Sequence, residues 1–170
     1  FEVTAIAGAA FICGLISAKD IAAHQIALSM ASFTFNLCVG FSVASTVMIG
    51  RKLGEKDFIN LEKVGFNNLK IAFIFMLMCG LVFILGKDVL PTFFTKKEDI
   101  AVVELASQLM IIAALFQLSD GIQVTALGCL RGIQDVKIPS ILTFIAYWVI
   151  TIPLGYYLTV PMKMGAFGMW

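Results

Sequence analysis

The stretches 21–50, 71–86 and 138–162 of this chain run for sixteen residues or more without an Asp, Glu, Lys or Arg. Another, 105–130, carries one charge, Asp120. Continuous apolar runs of that length match the thickness of a bilayer's hydrocarbon core. Inside that core every backbone N–H and C=O has to be satisfied within the segment or by a closed barrel. These runs lack the alternation of barrel strands, so they are expected to be helices. The expected fold class is all-α, a polytopic transmembrane helical bundle. Spans are expected near 1–17, 21–49, 69–86, 105–130 and 139–160, with another opening near 165–170.

The remaining composition narrows the function classes. A formal net charge of +1 leaves no basic surface for nucleic acid. Cys13, Cys38, Cys79 and Cys129 lie singly within apolar runs. They have no CxxC spacing, so they are expected to be small buried hydrophobes, with neither a disulfide framework nor a zinc site. Phe1 is not an initiator methionine, and the closing GAFGMW reads as the start of another helix. The chain is therefore expected to be a fragment of a larger membrane protein.

In the first span, Ala5, Ile6, Ala9, Cys13 and Ile16 share the helical face of Glu2. Two readings of Glu2 stay open: an acid at the end of a packed interior seam, or a charge at headgroup level. In the second span, Gln25, Ser29, Ser32 and Asn36 recur at intervals of four, three and four, which draws a polar stripe up one side. That stripe suits either a hydrated cavity wall or hydrogen bonding between helices. His24 lies about 100° off it. Gly50 and Gly54 are expected to end this span, and the segment from Asp57 onward reads as a short amphipathic helix at the interface. The third span carries no charge and reads as scaffold. In the last, Pro153 is expected to kink or loosen the helix, with Phe144, Tyr147 and Trp148 just before it.

Asp120 stands apart. It lies about 16 Å along the helix from Arg131, roughly half of a ~30 Å core. Burying an acid there costs about 2.5–3.5 kcal/mol on insertion scales, so such residues bind, relay or pair with something. Gln117 and Gln123 flank it at threes, and Phe116 and Val124 at fours, which outlines a polar face bordered by an aromatic. Lysines and arginines favour the loops 50–70 and 131–137 as the cytoplasmic side.

The sequence blocks GRKLGEKD, LFQLSDGIQVTALGCLRGIQD and FIAYWVITIPLGYYL occur in that order, with FE near the start and AAHQIAL opening the second span. Together they resemble the multidrug and toxic compound extrusion (MATE) transporters, most closely the NorM-like branch. The resemblance implies the seventh to eleventh helices of a twelve-helix, two-lobe transporter of the plasma membrane (the bacterial inner membrane), plus the opening of the twelfth. It implies export of organic-cation drugs through a cavity completed by the N-terminal lobe, coupled to Na⁺ or H⁺ and without another cofactor. The family's two cation-site acids fall on Glu2 and Asp120. The tyrosine that accompanies the second acid falls on Phe116, which removes one oxygen ligand and leaves the ion open. Gln25 matches a cavity glutamine. Ser29, Ser32, Asn36, Gln117 and Gln123 complete the expected cavity wall.

Three alternatives fit the residues less well. A lipid-linked oligosaccharide flippase of the same architecture would need cationic groups for pyrophosphate, whereas the charges at membrane depth here are acidic. An intramembrane enzyme would need a nucleophile with a base, or clustered metal ligands, and His24 has neither beside it, so no enzyme is expected. A purely structural membrane subunit leaves Asp120 unexplained.

Overall fold

The computed structural model describes residues 2–94, 100–162, 167, 168 and 170; the side chains of residues 2–5, 13, 15 and 16 lie outside the description. Among the described residues all regular structure is helical, with no strand. They form α1 (Glu2–Ile16), α2 (Ala18–Gly54), α3 (Phe58–Gly86), α4 (Ile100–Gly132), α5 (Lys137–Phe144), a π-helix (Ile145–Thr151) and α6 (Ile152–Thr159), with a 3₁₀ turn at Leu90–Phe93. Among the described residues, four stretches are long and apolar enough to cross a membrane: Ala18–Gly54, Phe58–Gly86, Ile100–Gly132 and Lys137–Thr159.

Only Ser17 separates α1 from α2. Its hydroxyl accepts the Asp20 amide at 3.1 Å, so Ser17 is the N-cap that starts the longer helix at Ala18. α2 then continues through Gly50 and ends at Gly54, where Lys56 turns the chain at φ 55°. Gly50 therefore does not break the helix. One glycine costs about 1 kcal/mol, which a 37-residue helix absorbs.

The expected interfacial helix after Asp57 is also corrected. Residues 58–86 form one unbroken helix of 29 residues. Asp57 caps it by accepting the Asn60 amide at 3.3 Å, and no proline interrupts the segment. At 1.5 Å per residue it is about 43 Å long, so its charged first turns can extend beyond a ~30 Å core without a bend.

At the α2–α3 turn, the Lys52 ammonium bridges Glu55 (2.7 Å) and Asp57 (3.1 Å). The Asn60 side chain, then Lys52, hold the Asp57 carboxyl below its usual value. Lys52, then Arg51, do the same for Glu55. Both folded-state values are depressed, so the turn's contribution to stability is present above the ordinary carboxylate range. It is lost as pH falls through the depressed values. Hydrogen exchange, corrected for intrinsic rates, is expected to show the first turn of α3 losing protection below about pH 4. In Asp57→Asn, which keeps an N-cap acceptor, that loss should flatten.

The core is the seam between α2 and α4, closed on one side by α3. Ala23, Ile26 and Ala27 pack on Ala106 and Leu109, while Phe83 of α3 packs on Met110, Ala113 and Ala114. Further along, the helices approach closely enough for side-chain hydroxyls to bond facing backbone. Ser42 Oγ donates to the Val124 carbonyl and Thr46 Oγ1 to the Gly128 carbonyl, each at 2.8 Å. This approach depends on glycine. A Cβ on Gly128 would lie 2.3 Å from the Ser42 carbonyl oxygen, and one on Gly132 would lie 2.7 Å from Ile49 Cβ. Gly128 and Gly132 form a GxxxG pair, the spacing that lets membrane helices meet backbone to backbone.

The last span contains the π-helix. Pro153 has no amide to donate, and an α-helical path would press its ring on the carbonyl four residues back. The backbone widens just before it: the Ile152 N–H bonds to the Tyr147 carbonyl, and Thr151 Oγ1 donates to the Ala146 carbonyl at 2.9 Å. Both bonds span five residues, so the expected loosening takes the form of a π turn.

Candidate functional site

A cavity of about 680 Å³ lies between α2, α4 and the last span, with α1 along one edge. Asp120 reaches it from α4. Its side chain is 7% exposed, in a wall that is otherwise mostly aliphatic and aromatic, including Leu28, Phe35 and Leu154. Phe116, one turn before Asp120, lines the same space. Ser32 and Asn36 face it from α2, and the Asn36 amide is oriented by donating to the Ser32 carbonyl at 2.8 Å.

Trp170 closes one end of the cavity. Its indole N–H donates to His24 Nδ1 at 2.9 Å. Its ring meets His24 and Phe116 edge-on, with centroids 5.7 and 6.1 Å away. A neutral His24 that accepts at Nδ1 carries its proton on Nε2, and that buried atom has no hydrogen-bond partner among the described residues. The lone histidine therefore positions the cavity's end wall.

The other residues expected at the site are placed differently. Gln25 and Ser29 are exposed on α2 and lie outside the cavity lining, with Ser29 donating to the Gln25 carbonyl at 2.7 Å. Gln117 is 1% exposed and sits in the packed seam, where Thr34 donates to its Oε1 at 3.0 Å and its Nε2 reaches the Met76 carbonyl at 3.5 Å. Gln123 donates to the Tyr147 hydroxyl at 3.4 Å. Helical geometry accounts for the divergence of the two glutamines. Residues three before and three after Asp120 point about 60° to either side of it, one toward α2 and α3 and the other toward the π-helix. The Glu2 side chain lies outside the described residues.

The hydrogen-bonded seam within the bundle is thus carried by Thr34, Ser42 and Thr46 rather than by the polar stripe of α2. Its signal in the sequence is the glycine pair of GCLRG on the facing helix. Two hydroxyl residues of the cavity wall, Tyr147 and Thr151, also fall outside the sequence expectation. Nothing in the sequence shows that a π turn carries them. Replacing Gln117 by leucine is expected to cost about 0.6 and at most ~1.7 kcal/mol, the measured range for hydrogen bonds between membrane helices. Thermal unfolding in detergent measures this, and a much larger loss would mark Gln117 as more than one partner in the seam.

The family model for MatE matches residues 5–157. Among curated relatives, a probable multidrug resistance protein NorM of Agrobacterium fabrum is 38% identical over 172 residues, covering 99% of this chain and 37% of that protein. A probable multidrug resistance protein NorM of Xylella fastidiosa is 36% identical over 159 residues, covering 94% of this chain and 34% of its own. The multidrug resistance protein NorM of Photobacterium profundum is 34% identical over 174 residues, covering the whole chain and 38% of its own. The chain thus spans little more than a third of the length of these relatives.

Proposed function

The chain belongs to the MatE family of multi-pass membrane proteins, and from that membership we propose that it is part of a cation-coupled exporter of amphipathic organic cations. The observation that carries the reading is Asp120: a buried acid in a largely apolar cavity with Phe116 and Trp170 at its edge. An aliphatic and aromatic wall takes up the hydrophobic body of such a drug. One carboxylate supplies the counter-charge, strengthened by the low dielectric around it.

Coupling follows from competition for that carboxylate. A drug cation and a Na⁺ or H⁺ cannot both neutralise it, so binding the ion favours release of the drug. If the ion binds better in the outward-open state and the drug in the inward-open state, each ligand shifts the equilibrium of alternating access. The exposed stripe face at Gln25 and Ser29 is available to a further set of helices, the N-terminal lobe of a longer transporter. On the strength of the family resemblance, we take Glu2 as a second acid of this proposed cation site. No lysine or arginine lines the cavity among the described residues, which leaves a pyrophosphate-linked lipid without a partner there.

The test uses the full-length transporter carrying this segment, in proteoliposomes loaded with an ethidium-like dye. An inward Na⁺ gradient or an inward proton gradient, imposed separately, is expected to drive dye efflux with one of the two ions. Correctly inserted protein that moves no dye under either gradient would overturn the reading.

A further inference from the structure

The π-helix lines the same cavity as Asp120, and its two cavity residues with polar side chains are both oxygen groups, Tyr147 and Thr151. They lie four residues apart, close to one turn of that widened helix, so both reach the same space. Thr151 donates its hydroxyl hydrogen to the Ala146 carbonyl, so it offers the cavity oxygen lone pairs. The Tyr147 oxygen receives the Gln123 amide at 3.4 Å. Gln123 is three residues beyond Asp120, so one helix carries the acid and also the group that orients the phenol. On α2, the Asn36 amide nitrogen is turned to the Ser32 carbonyl, which sets its oxygen as the other end of the group.

The cavity thus gathers a carboxylate, a phenol, a hydroxyl and an amide oxygen from three helical segments. A proton needs only Asp120. A hard monovalent cation such as Na⁺ needs several oxygens around one charge, and an all-oxygen donor set suits it. Phe116 brings no oxygen from α4, and among the described residues that line the cavity the phenol is that of Tyr147 on the π-helix.

We infer that Tyr147 and Thr151 of the π-helix are oxygen ligands of a Na⁺ ion bound at Asp120, with Gln123 as the residue that positions Tyr147. This rests on the reading of Asp120 as the coupling site. A cation shared between Asp120 and Tyr147 ties α4 to the π-helix, so occupancy of the site is felt by the span that Pro153 has already loosened.

The test measures thermal stabilisation of the purified full-length protein against NaCl at constant ionic strength with choline, and separately against ethidium. Wild type is expected to show saturable stabilisation by Na⁺. Tyr147→Phe and Thr151→Val are each expected to raise the half-saturating Na⁺ by about tenfold, and Gln123→Leu by a smaller factor. Half-saturating ethidium is expected to move by a clearly smaller factor than half-saturating Na⁺ in these three variants, a split that a general loss of packing would not produce. Asp120→Asn should lose the Na⁺ response. If it does while Tyr147→Phe and Thr151→Val titrate like wild type, this inference is overturned and the coupling-site reading stands. If Asp120→Asn itself titrates like wild type, both fall. A wild type that responds to pH but never to Na⁺ also overturns the inference, in favour of proton coupling. Should Tyr147→Phe fail to fold, Thr151→Val, which keeps the shape of the side chain, carries the test.

Discussion

Asp120→Asn is expected to abolish gradient-driven efflux while leaving the protein folded and inserted. Asparagine keeps the size of the side chain and removes the charge. Removing one partner of a buried, hydrogen-bonded charge pair typically costs about 2–5 kcal/mol, which corresponds to roughly thirty- to several-thousand-fold in affinity for a cation. The same change removes a cost, because burying an acid at that depth is unfavourable by about 2.5–3.5 kcal/mol. The thermal midpoint in detergent is therefore expected to stay level or rise. Function and stability should move in opposite directions, which a structural role for Asp120 would not predict. The measurement is dye efflux from proteoliposomes at matched expression, paired with a melting curve. Wild-type efflux in the mutant would remove Asp120 from the mechanism. Efflux lost together with a large fall in midpoint would mark it as a packing residue.

The second large effect concerns assembly of the bundle. Gly128→Leu is expected to prevent α2 and α4 from docking, because even its Cβ would sit 2.3 Å from the Ser42 carbonyl oxygen and 2.6 Å from Ser42 Oγ. Neither atom can step aside cheaply. The first belongs to helix backbone, and the second donates to the Val124 carbonyl across the seam. Relief requires separating the helices, and that also stretches the bond from Thr46 to the Gly128 carbonyl. The milder Gly128→Ala is expected to cost about 1–3 kcal/mol, the usual range for overpacking. Gly40 provides the control. A Cβ added to this α2 residue would meet nothing within 4 Å, so Gly40→Ala should gain about 0.5–1 kcal/mol from helix propensity alone. Size-exclusion profiles and melting curves in detergent distinguish the two sites. A Gly128→Leu protein that elutes and melts like wild type would show that the two helices do not meet at this point.

How much is legible in the sequence differs from one residue to the next. Asp120 stands out because a charge in a long apolar helix is costly wherever that helix packs, so its depth alone makes it a candidate. Ser32 and Asn36 are legible as polar members of a stripe, yet Gln25 and Ser29, on the same stripe, lie outside the cavity lining. Periodicity identifies a face. How far along that face a cavity extends depends on where the neighbouring helices bend away. Gln117 and Gln123 are indistinguishable by their spacing from Asp120, and their opposite destinations follow from which helices flank α4. The unbroken start of α3 is hidden for a related reason. A change from polar to apolar residues marks where a helix leaves the interface, and by itself it does not require a break in the backbone.

The sequence by itself determined that this chain is a bundle of membrane-spanning helices with one acid deep inside. Run length, charge placement and the need to satisfy backbone polar groups in hydrocarbon are properties of each segment alone. Tertiary structure decided everything that depends on two segments at once. It set the α2–α4 contact at Gly128, moved Gln117 into the packed seam, and brought the hydroxyls of a π-helix into the same cavity as Asp120. The physical reason is that a helix presents side chains in every direction with equal ease, and only a neighbouring helix gives one of those directions a meaning.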